Sequence, residues 1–373
     1  MKEAVAQLLL RNRRKLGVAL PPGGVGLRWL VVNAGTQQNA RLVCTCWVGD
    51  AAQPVAVAKF ARHPRFNARV EGEYRALEQL GAYAGPGPTR VPGPVGTAYV
   101  GPHLLGVETA LPGRPLRTLL HERRGESAAL LEQWAALLEW VTGLATRSAR
   151  PATSRDYEEM VFAPLDKAGR ELGLDDTEQA ELLRIREDAA RLASERSLPI
   201  VFAHRDLGTP NVLAGSRGEF TGVVDWEAGG SGLPAADLFF FLGRFAYETR
   251  GANTPDELRG FRETYLGETE HAPAGDLSAT AHRWLRTYCA SVGLDRRWLP
   301  TLFALTWIAA AQDERQVLAE RAEQRPGWPG GAAGRRPTIQ PDHFLQHLRL
   351  YLRRTGDFAR TMGLTGGEDG EQT

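Results

Sequence analysis

One segment, residues 199–230, constrains the fold more than any other part of the chain. An apolar strand runs into His204 and Asp206, Asn211 follows, and a second pair of short strands ends at Asp225 in VVDW. This spacing places three polar acceptors on loops at the ends of short strands, near one another. Asp206 can accept a hydroxyl proton, and Asn211 and Asp225 offer the oxygen ligands that Mg²⁺ takes beside phosphate. The alternative is a strand–turn–strand unit whose polar residues only cap turns.

The motif HRDLGTPNVL with the downstream VVDW resembles the catalytic loop and metal-binding aspartate of the protein-kinase-like superfamily. It most resembles the aminoglycoside phosphotransferase and choline kinase branch. The resemblance implies that Asp206 is the catalytic base, that Asn211 and Asp225 bind Mg²⁺, and that His204 supports the loop. Arg205 departs from the glycine or asparagine that small-molecule kinases often carry there, and matches the H-R-D of protein kinases instead.

A second part of the resemblance lies just downstream. The segment GSGLPAADLFF, residues 230–240, is similar to the family's G-x-P-x-x-D-L segment. The resemblance gives Asp237 a structural role, in which it supports the catalytic loop from a helix start. A simple helix-start charge predicts nearly the same location.

Lys59 provides an independent check, because it lies in the otherwise apolar strand VAVAKF and is one of only four lysines. Burying an ammonium is costly unless it is paired or binds an anion. Kinases place such a lysine on the nucleotide phosphates and hold it with a helix glutamate. Periodicity predicts a helix over 65–80, in which Glu73 fits that partner better than Glu71, which stays a possible substitute.

Two further segments occupy positions that the family uses for the nucleotide. Residues 31–43 correspond to the nucleotide-covering loop, although Gly35 is their only glycine. Backbone N–H groups there would contact phosphates, and an ordinary hairpin turn is the alternative. The stretch LGVETALPGRPL, residues 105–116, resembles the hinge between lobes, where backbone groups of Glu108 to Leu111, Ala110 among them, would bind the base.

Composition argues against several other classes of protein, although a local basic patch stays possible. The 373 residues carry 45 Lys+Arg and 44 Asp+Glu, so no strong field draws the chain to nucleic acid or anionic membrane. No apolar run reaches the roughly 20 residues of a membrane span, and the N-terminus lacks the order of a secretory signal. Three cysteines are too few for a disulfide framework, and Cys44 and Cys46 are interpreted as buried strand residues. A cytoplasmic protein is therefore expected.

The predicted fold is α+β and protein-kinase-like, with two lobes. A small N-terminal lobe holds an antiparallel sheet and one helix, and a larger, mostly helical C-terminal lobe follows. The expected domains are an N-terminal helical extension (1–24), the nucleotide-binding lobe (25–110), the helical lobe (111–363) and a disordered polar tail (364–373). Helices are predicted near 127–146, 176–196, 234–248, 255–267, 278–291, 297–322 and 342–362.

The chemistry that follows is transfer of the γ-phosphoryl of ATP or GTP, with Mg²⁺, to a hydroxyl of a small polar substrate. Aminoglycoside, amino-alcohol and sugar substrates all stay open, as does a monomer or a homodimer. Asp313 and Glu314 are named as substrate contacts, because related enzymes often place acids late in this lobe. The alternatives are a non-catalytic nucleotide-binding protein and a protein kinase. Only 11 residues separate Asp225 from Asp237, which leaves no room for an activation segment.

Overall fold

A computed structural model describes residues 2–16, 26–33, 41–83, 85, 90–123, 127–251, 258–268, 277–323 and 343–364. The chain forms two compact units. The first unit combines residues 1–122 with 204–230, and the second combines 123–203 with 231–373. The expected domain limits at residues 24, 110 and 363 stay predictions.

Residues up to 122 supply most of the first unit. Their elements, in chain order, are α1 (Lys2–Arg11), β1 (Leu27–Asn33), β2 (Arg41–Val48), β3 (Ala56–Ala61), α2 (Asn67–Ala82), β4 (Pro94–Val100), β5 (His103–Thr109), β6 (Arg114–Pro115) and α3 (Leu116–Glu122). Strands β1 to β5 form an antiparallel sheet in the order β1-β2-β3-β5-β4. The predicted hairpin of residues 42–48 and 55–60 is β2 and β3.

The two faces of this sheet carry different helices. On one face, Val5, Leu8 and Leu9 of α1 pack against a core that includes Cys44 and Cys46. Each such fully buried aliphatic side chain stabilises the fold by roughly 1.5–3 kcal/mol. The N-terminal helix is therefore part of this unit's core, and the two cysteines are buried strand residues, as predicted.

The opposite face packs against α2. Val70 of α2 contacts Ala61 and Leu104 in a small buried cluster. A side chain at Gly106 would lie 3.0 Å from a Val70 methyl group. Because Gly106 is the cross-strand partner of Lys59, this glycine lets the helix approach the sheet beside the lysine.

Residues 123–203 begin the second unit with α4 (Ser127–Glu132), α5 (Ala135–Ser148), β7 (Arg150–Pro151), α6 (Ser154–Tyr157), α7 (Ala163–Glu171), α8 (Asp176–Glu195) and β8 (Pro199–Ala203). The predicted helix 127–146 is two helices. Helices α6 and α7 were not predicted, although α6 starts with a complete capping box between Thr153 and Asp156. The same device starts α8 at Asp175 and Glu178.

Residues 204–230 return to the first unit with β9 (Val212–Ala214) and β10 (Phe220–Val223). These two strands and β6 form a three-stranded sheet in the order β10-β9-β6. A side chain at Gly113, whose φ is +118°, would lie 2.7 Å from the Ala214 carbonyl oxygen. The turn before β6 therefore requires a glycine so that it can lie against β9.

The remaining elements complete the second unit. They are β11 (Gly230–Gly232), α9 (Ala236–Ala246), α10 (Arg259–Tyr265), α11 (Leu277–Val292), α12 (Leu299–Glu323), α13 (His343–Leu352) and α14 (Thr355–Thr361). Their core is aromatic, and Phe303 packs edge-on against Phe239 at 4.9 Å and Tyr351 at 4.8 Å. The predicted helix 342–362 is two helices, because the backbone leaves the helical conformation at Arg354, with a φ of −137° and a ψ of 32°.

Some predictions lie outside the described residues, namely the surface loop of residues 327–338 and nearly all of the polar tail. Among the residues that are described, no helix combines the length and the apolar character needed to cross a membrane.

Candidate active site

The loop around Asp206 is a closed turn built by its own backbone. The Gly208 N–H donates to the Asp206 carbonyl oxygen at 2.8 Å, and the Asn211 N–H donates to the Gly208 carbonyl oxygen at 2.9 Å. The Asn211 side-chain Nδ2 donates to the Asp206 carbonyl oxygen at 2.9 Å and to its carboxylate Oδ2 at 3.0 Å. Asp206 is exposed. Its carboxylate is therefore accessible while Asn211 fixes its orientation.

His204 links this loop to the strand that leads to Asp225. The ring is buried, its Nδ1 accepts from the Asp206 N–H at 3.2 Å, and its Nε2 lies 3.0 Å from the Val224 carbonyl oxygen. Both bonds are satisfied by a neutral ring that carries its proton on Nε2. The ring also packs against the Trp226 indole at 4.5 Å.

Two residues of the motif have left-handed backbone conformations. Arg205 has a φ of 65° and Asp225 a φ of 70°. This region is costly for residues with a Cβ and easy for glycine. The conformation of Arg205 explains why glycine or asparagine suits this position, and strain of this kind clusters at functional sites.

The strain at Arg205 is measurable with a matched pair of variants. Arg205→Gly and Arg205→Ala both remove the same side chain, but only alanine keeps the Cβ. We expect the glycine variant to be more stable than the alanine variant by about 1 kcal/mol in urea unfolding. Equal stability of the two variants would show that the left-handed conformation carries no cost here.

Lys59 lies between two buried carboxylates. Its Nζ donates to Oε1 of Glu73 on α2, and lies 3.0 Å from Oε1 of Glu108 on β5. All three residues are at most 7% exposed. Glu71, the possible substitute, is 62% exposed at its side chain and pairs with Arg75 instead. The structure therefore places Glu73, and not Glu71, against the lysine.

Arg41 joins this lysine pair to Asp225. Its Nη1 contacts Glu73 Oε2 at 2.7 Å, and its Nη2 donates to Asp225 Oδ1. Nη2 also lies 3.4 Å from Glu227 Oε2. The backbone N–H of Trp226 donates to Glu73 Oε1 at 3.2 Å, so Glu73 ties α2 to the segment that carries Asp225.

The six linked side chains are called the ion-pair cluster below; they are Arg41, Lys59, Glu73, Glu108, Asp225 and Glu227. With all six ionised, two cations and four carboxylates give a formal charge of −2. Because burial raises the pKa of Glu108 to about 7, its carboxyl group is partly protonated at neutral pH, and the cluster is less negative than this formal charge.

The pKa shifts in the cluster follow from burial and from these charges. Burial raises the pKa of Glu108 to about 7, against the opposing charge of Lys59. Burial alone would lower the pKa of Lys59 and raise that of Asp225. The carboxylates around Lys59 instead raise its pKa, and the charges of Arg41 and Lys59 lower that of Asp225. Lys59 and Asp225 are therefore both ionised at neutral pH.

The side-chain oxygens of Asn211 and Asp225 are suitable ligands for a magnesium ion. Because both Asn211 Nδ2 contacts go to Asp206, the amide oxygen Oδ1 is the acceptor that Asn211 can offer. The Val224 N–H donates to the Asn211 carbonyl oxygen at 2.9 Å, which places Asn211 across from the residue before Asp225. The Asp225 side chain keeps 33% exposure. One amide oxygen and one carboxylate, completed by phosphate oxygens, match the way Mg²⁺ is usually held.

In the part of the chain that is described, no group of three or more His, Cys, Asp or Glu side chains is placed to hold a metal.

The predicted base-binding segment is largely engaged in the sheet. Glu108 pairs with both Val57 and Pro94, and the Ala110 N–H donates to the Val55 carbonyl oxygen at 3.1 Å. The role of this segment stays a prediction, with Leu111 as the next backbone donor along the chain. Gly35 lies outside the described residues.

The other predicted residues belong to the second unit. Asp237 lies in the first turn of α9. Asp313 is exposed on α12, whereas Glu314 is 7% exposed and its Oε2 accepts from the Phe344 N–H at 3.1 Å. Glu314 thus accepts a hydrogen bond from the start of α13, whereas Asp313 is exposed. Both roles remain predictions.

Sequence reasoning missed Arg41, Glu227 and the side chain of Glu108. Arg41 is the cross-strand partner of Ala61, two positions from the Val43–Lys59 pair, so Arg41 and Lys59 share one face of the sheet. That relation depends on strand register, and the sequence before Arg41 gives no signal for it. Glu227 stands two residues after Asp225, and this proximity was the one available signal.

Comparison with known proteins gives one family and a set of similar folds. The sequence profile of APH, the phosphotransferase enzyme family, matches residues 44–277, which is more than half of the chain. The wild-type aminoglycoside 2'-phosphotransferase-IIIa, solved as its GDP complex, is similar with a TM-score of 0.51 and 10% identity, over 94% of this chain and 98% of that chain. No curated protein sequence matches.

Two further solved structures align over most of their length. A thermostable mutant of aminoglycoside phosphotransferase APH(4)-Ia, with AMP-PNP and hygromycin B, gives a TM-score of 0.48 and 13% identity, over 96% of this chain and 98% of that chain. An ethanolamine kinase from Plasmodium vivax gives a TM-score of 0.44 and 12% identity, over 96% of this chain and 89% of that chain.

The predicted bilobal α+β fold is confirmed by the similarity to aminoglycoside 2'-phosphotransferase-IIIa and by the elements described above. The predicted phosphotransferase activity is confirmed by the family match. The chain belongs to the APH family of phosphotransferase enzymes.

Proposed function

We propose that this protein is a small-molecule kinase, which transfers the γ-phosphoryl group of ATP or GTP to a hydroxyl of a small polar substrate. The observation that carries the proposal is the buried Lys59 ammonium, held by Glu73 in the same cluster as Asp225. A buried ammonium beside an ionised aspartate suits a nucleotide phosphate and its metal. The similar structure with bound GDP supports nucleotide binding.

Each residue of the site has a role in this reaction. Lys59 binds nucleotide phosphates, and Glu73 holds its ammonium in place. Asp206 orients the acceptor hydroxyl and takes its proton at the exposed carboxylate that Asn211 fixes. His204 links the Asp206 backbone to the Val224 carbonyl oxygen through its two ring nitrogens. Catalysis is then mostly positioning and charge neutralisation.

Asn211 and Asp225 would hold Mg²⁺, with Asn211 offering its amide oxygen and Asp225 its carboxylate. When bound, the ion neutralises charge on the phosphate oxygens. The ionised Asp225 carboxylate supports this assignment, because its negative charge would repel an anionic nucleotide unless a cation compensates it.

The acceptor stays within the class of aminoglycosides, amino-alcohols and sugars. Asp313, which is exposed, and Glu314, whose Oε2 accepts from the Phe344 N–H, are the proposed contacts for a substrate that carries ammonium groups. A non-catalytic nucleotide-binding protein is the second candidate, but proteins of that kind typically lose the base, the lysine or a metal ligand, and this chain keeps Asp206, Lys59, Asn211 and Asp225.

A thermal-shift experiment tests the proposal. The protein is melted with ATP, GTP or ADP, with and without Mg²⁺, and then with a panel of amino-alcohols, sugars and aminoglycosides in the presence of nucleotide. Ligands that bind only the folded state raise the melting temperature. We expect a Mg²⁺-dependent nucleotide shift and an added shift from one class of acceptor. A nucleotide shift without turnover of any acceptor would favour the non-catalytic candidate.

The variant Lys59→Met links that shift to the proposed site. Losing a charge-assisted contact of about 1.5–3 kcal/mol weakens nucleotide binding roughly 10- to 150-fold. Isothermal titration with ATP and Mg²⁺ measures the change. Lys167→Met is the matched control, because Lys167 is a half-exposed lysine whose nearest carboxylate oxygen lies 3.8 Å away. Equal loss in both variants would argue against a phosphate role for Lys59.

A further inference from the structure

Among the described residues, Arg41 is the cation whose side chain contacts Asp225, one of the two predicted metal ligands. It starts β2, on the sheet face that carries Lys59, and its side chain is 12% exposed. Its Nη2 donates to Asp225 Oδ1, and its Nη1 contacts Glu73. The guanidinium thus occupies the carboxylate that the proposed function gives to Mg²⁺.

Glu227 offers the same guanidinium an alternative partner. Its Oε2 is buried, accepts no hydrogen bond among the described residues, and lies 3.4 Å from Arg41 Nη2. That separation suffices for an ion pair, while the hydrogen bond of Nη2 goes to Asp225. A small movement of Nη2 from Asp225 to Glu227 would keep the charge of Arg41 compensated and would satisfy the buried oxygen.

Building on the proposed function, we propose that Arg41 is a positioning residue that occupies Asp225 in the metal-free protein, so that Arg41 and a divalent cation compete for this carboxylate. Glu227 receives the displaced guanidinium, and Glu73 anchors it in both positions. Arg41 therefore sets how tightly the protein holds metal before the nucleotide arrives. With Oδ1 paired to Arg41, Asp225 binds a metal ion weakly unless phosphate oxygens add to the coordination.

Binding of Mn²⁺ in the absence of nucleotide tests this competition directly. Free Mn²⁺ gives an electron paramagnetic resonance signal, so a titration of the full chain yields the dissociation constant without any assay of activity. We expect Arg41→Gln to bind Mn²⁺ at least about tenfold more tightly than the natural protein, because a charge pair of this kind is worth more than 1.4 kcal/mol at partial burial. Arg41→Lys, whose ammonium cannot bridge two carboxylates, is expected to be intermediate.

A matched control separates competition from a general change of charge. Arg69, on α2, acts electrostatically on Glu227 and lies against the Phe66 ring, so Arg69→Gln removes the same charge nearby. Its effect on Mn²⁺ binding is expected to stay within about threefold, a difference of roughly 0.7 kcal/mol. If Arg41→Gln binds Mn²⁺ no more tightly than Arg69→Gln, the competition is overturned. Arg41→Lys provides a second test in case Arg41→Gln does not fold. If Arg41→Lys binds Mn²⁺ no more tightly than the natural protein does, the proposal is overturned as well.

The failure of this inference can be told apart from failure of the proposed function. Asp225→Asn is measured with Mn²⁺ and ATP together, where the proposed function predicts a clear loss of metal binding. That loss, combined with no effect of Arg41→Gln, would overturn only the role of Arg41. If Asp225→Asn binds Mn²⁺ and ATP as well as the natural protein does, the metal site itself is wrong and both proposals fall.

Discussion

Replacing Asp206 with asparagine is expected to lower turnover by about 10²–10⁴-fold, the usual contribution of a positioned general base. Asparagine keeps an oxygen that can accept from Asn211 Nδ2, so the loop geometry is retained while the proton acceptor is lost. Nucleotide affinity should stay within about twofold, because Asp206 is given no phosphate or metal contact. Turnover is measured with the acceptor that gives the largest thermal shift, and affinity by isothermal titration.

Asp50→Asn is the control for this substitution, because Asp50 is exposed in the turn after β2. Its turnover should equal that of the natural protein. If Asp206→Asn also turns over at the natural rate, Asp206 is not the base. If it loses nucleotide binding together with turnover, its role lies in folding or binding and not in proton transfer.

Replacing Glu73 with alanine is expected to cost about 3–5 kcal/mol of the free energy of unfolding. Glu73 accepts from Lys59 Nζ, contacts Arg41 at 2.7 Å, and accepts from the Trp226 N–H at 3.2 Å. Removing its carboxylate leaves two buried cations short of a partner and a buried N–H unsatisfied. Urea denaturation measures the loss, with an unchanged slope showing that only stability has changed.

Glu71→Ala on the same helix supplies the comparison. The Glu71 side chain is 62% exposed and its ion pair with Arg75 is a surface pair, so a change within about 0.5 kcal/mol is expected. A similar small change for Glu73→Ala would mean that water or a shifted partner compensates its cations, and would remove the argument that Glu73 organises the cluster.

The sequence predicted the parts of this site whose chemistry is local. The spacing from His204 to Asn211 follows one closed turn, and VVDW follows a short strand, so their proximity could be inferred along the chain. Lys59 stood out because a lysine in an apolar strand needs a partner, and the helix after it offered Glu71 and Glu73 near its start. In each case a few neighbouring residues carried the signal.

The parts that were missed depend on pairing between distant strands. Arg41 faces Asp225 only because β2 pairs with β3 in the register that sets Arg41 opposite Ala61. The sequence predicts that Glu108 is a hinge residue that binds the base through its backbone. Its carboxylate contacts Lys59 only because β5 pairs with β3 in the register that sets Glu108 opposite Val57. Register of this kind is fixed by packing on both sheet faces, which a single sequence does not reveal.

The first unit is discontinuous, since residues 204–230 complete a body that begins with residues 1–122. During synthesis its first part leaves the ribosome long before its last. At about 5–20 residues per second, residue 230 is made roughly 5–20 seconds after residue 122. In that interval β6 has no β9 to pair with, and Glu73 has no Trp226 N–H to accept from. The nascent chain must therefore protect an unfinished, charged site while the intervening helices are made.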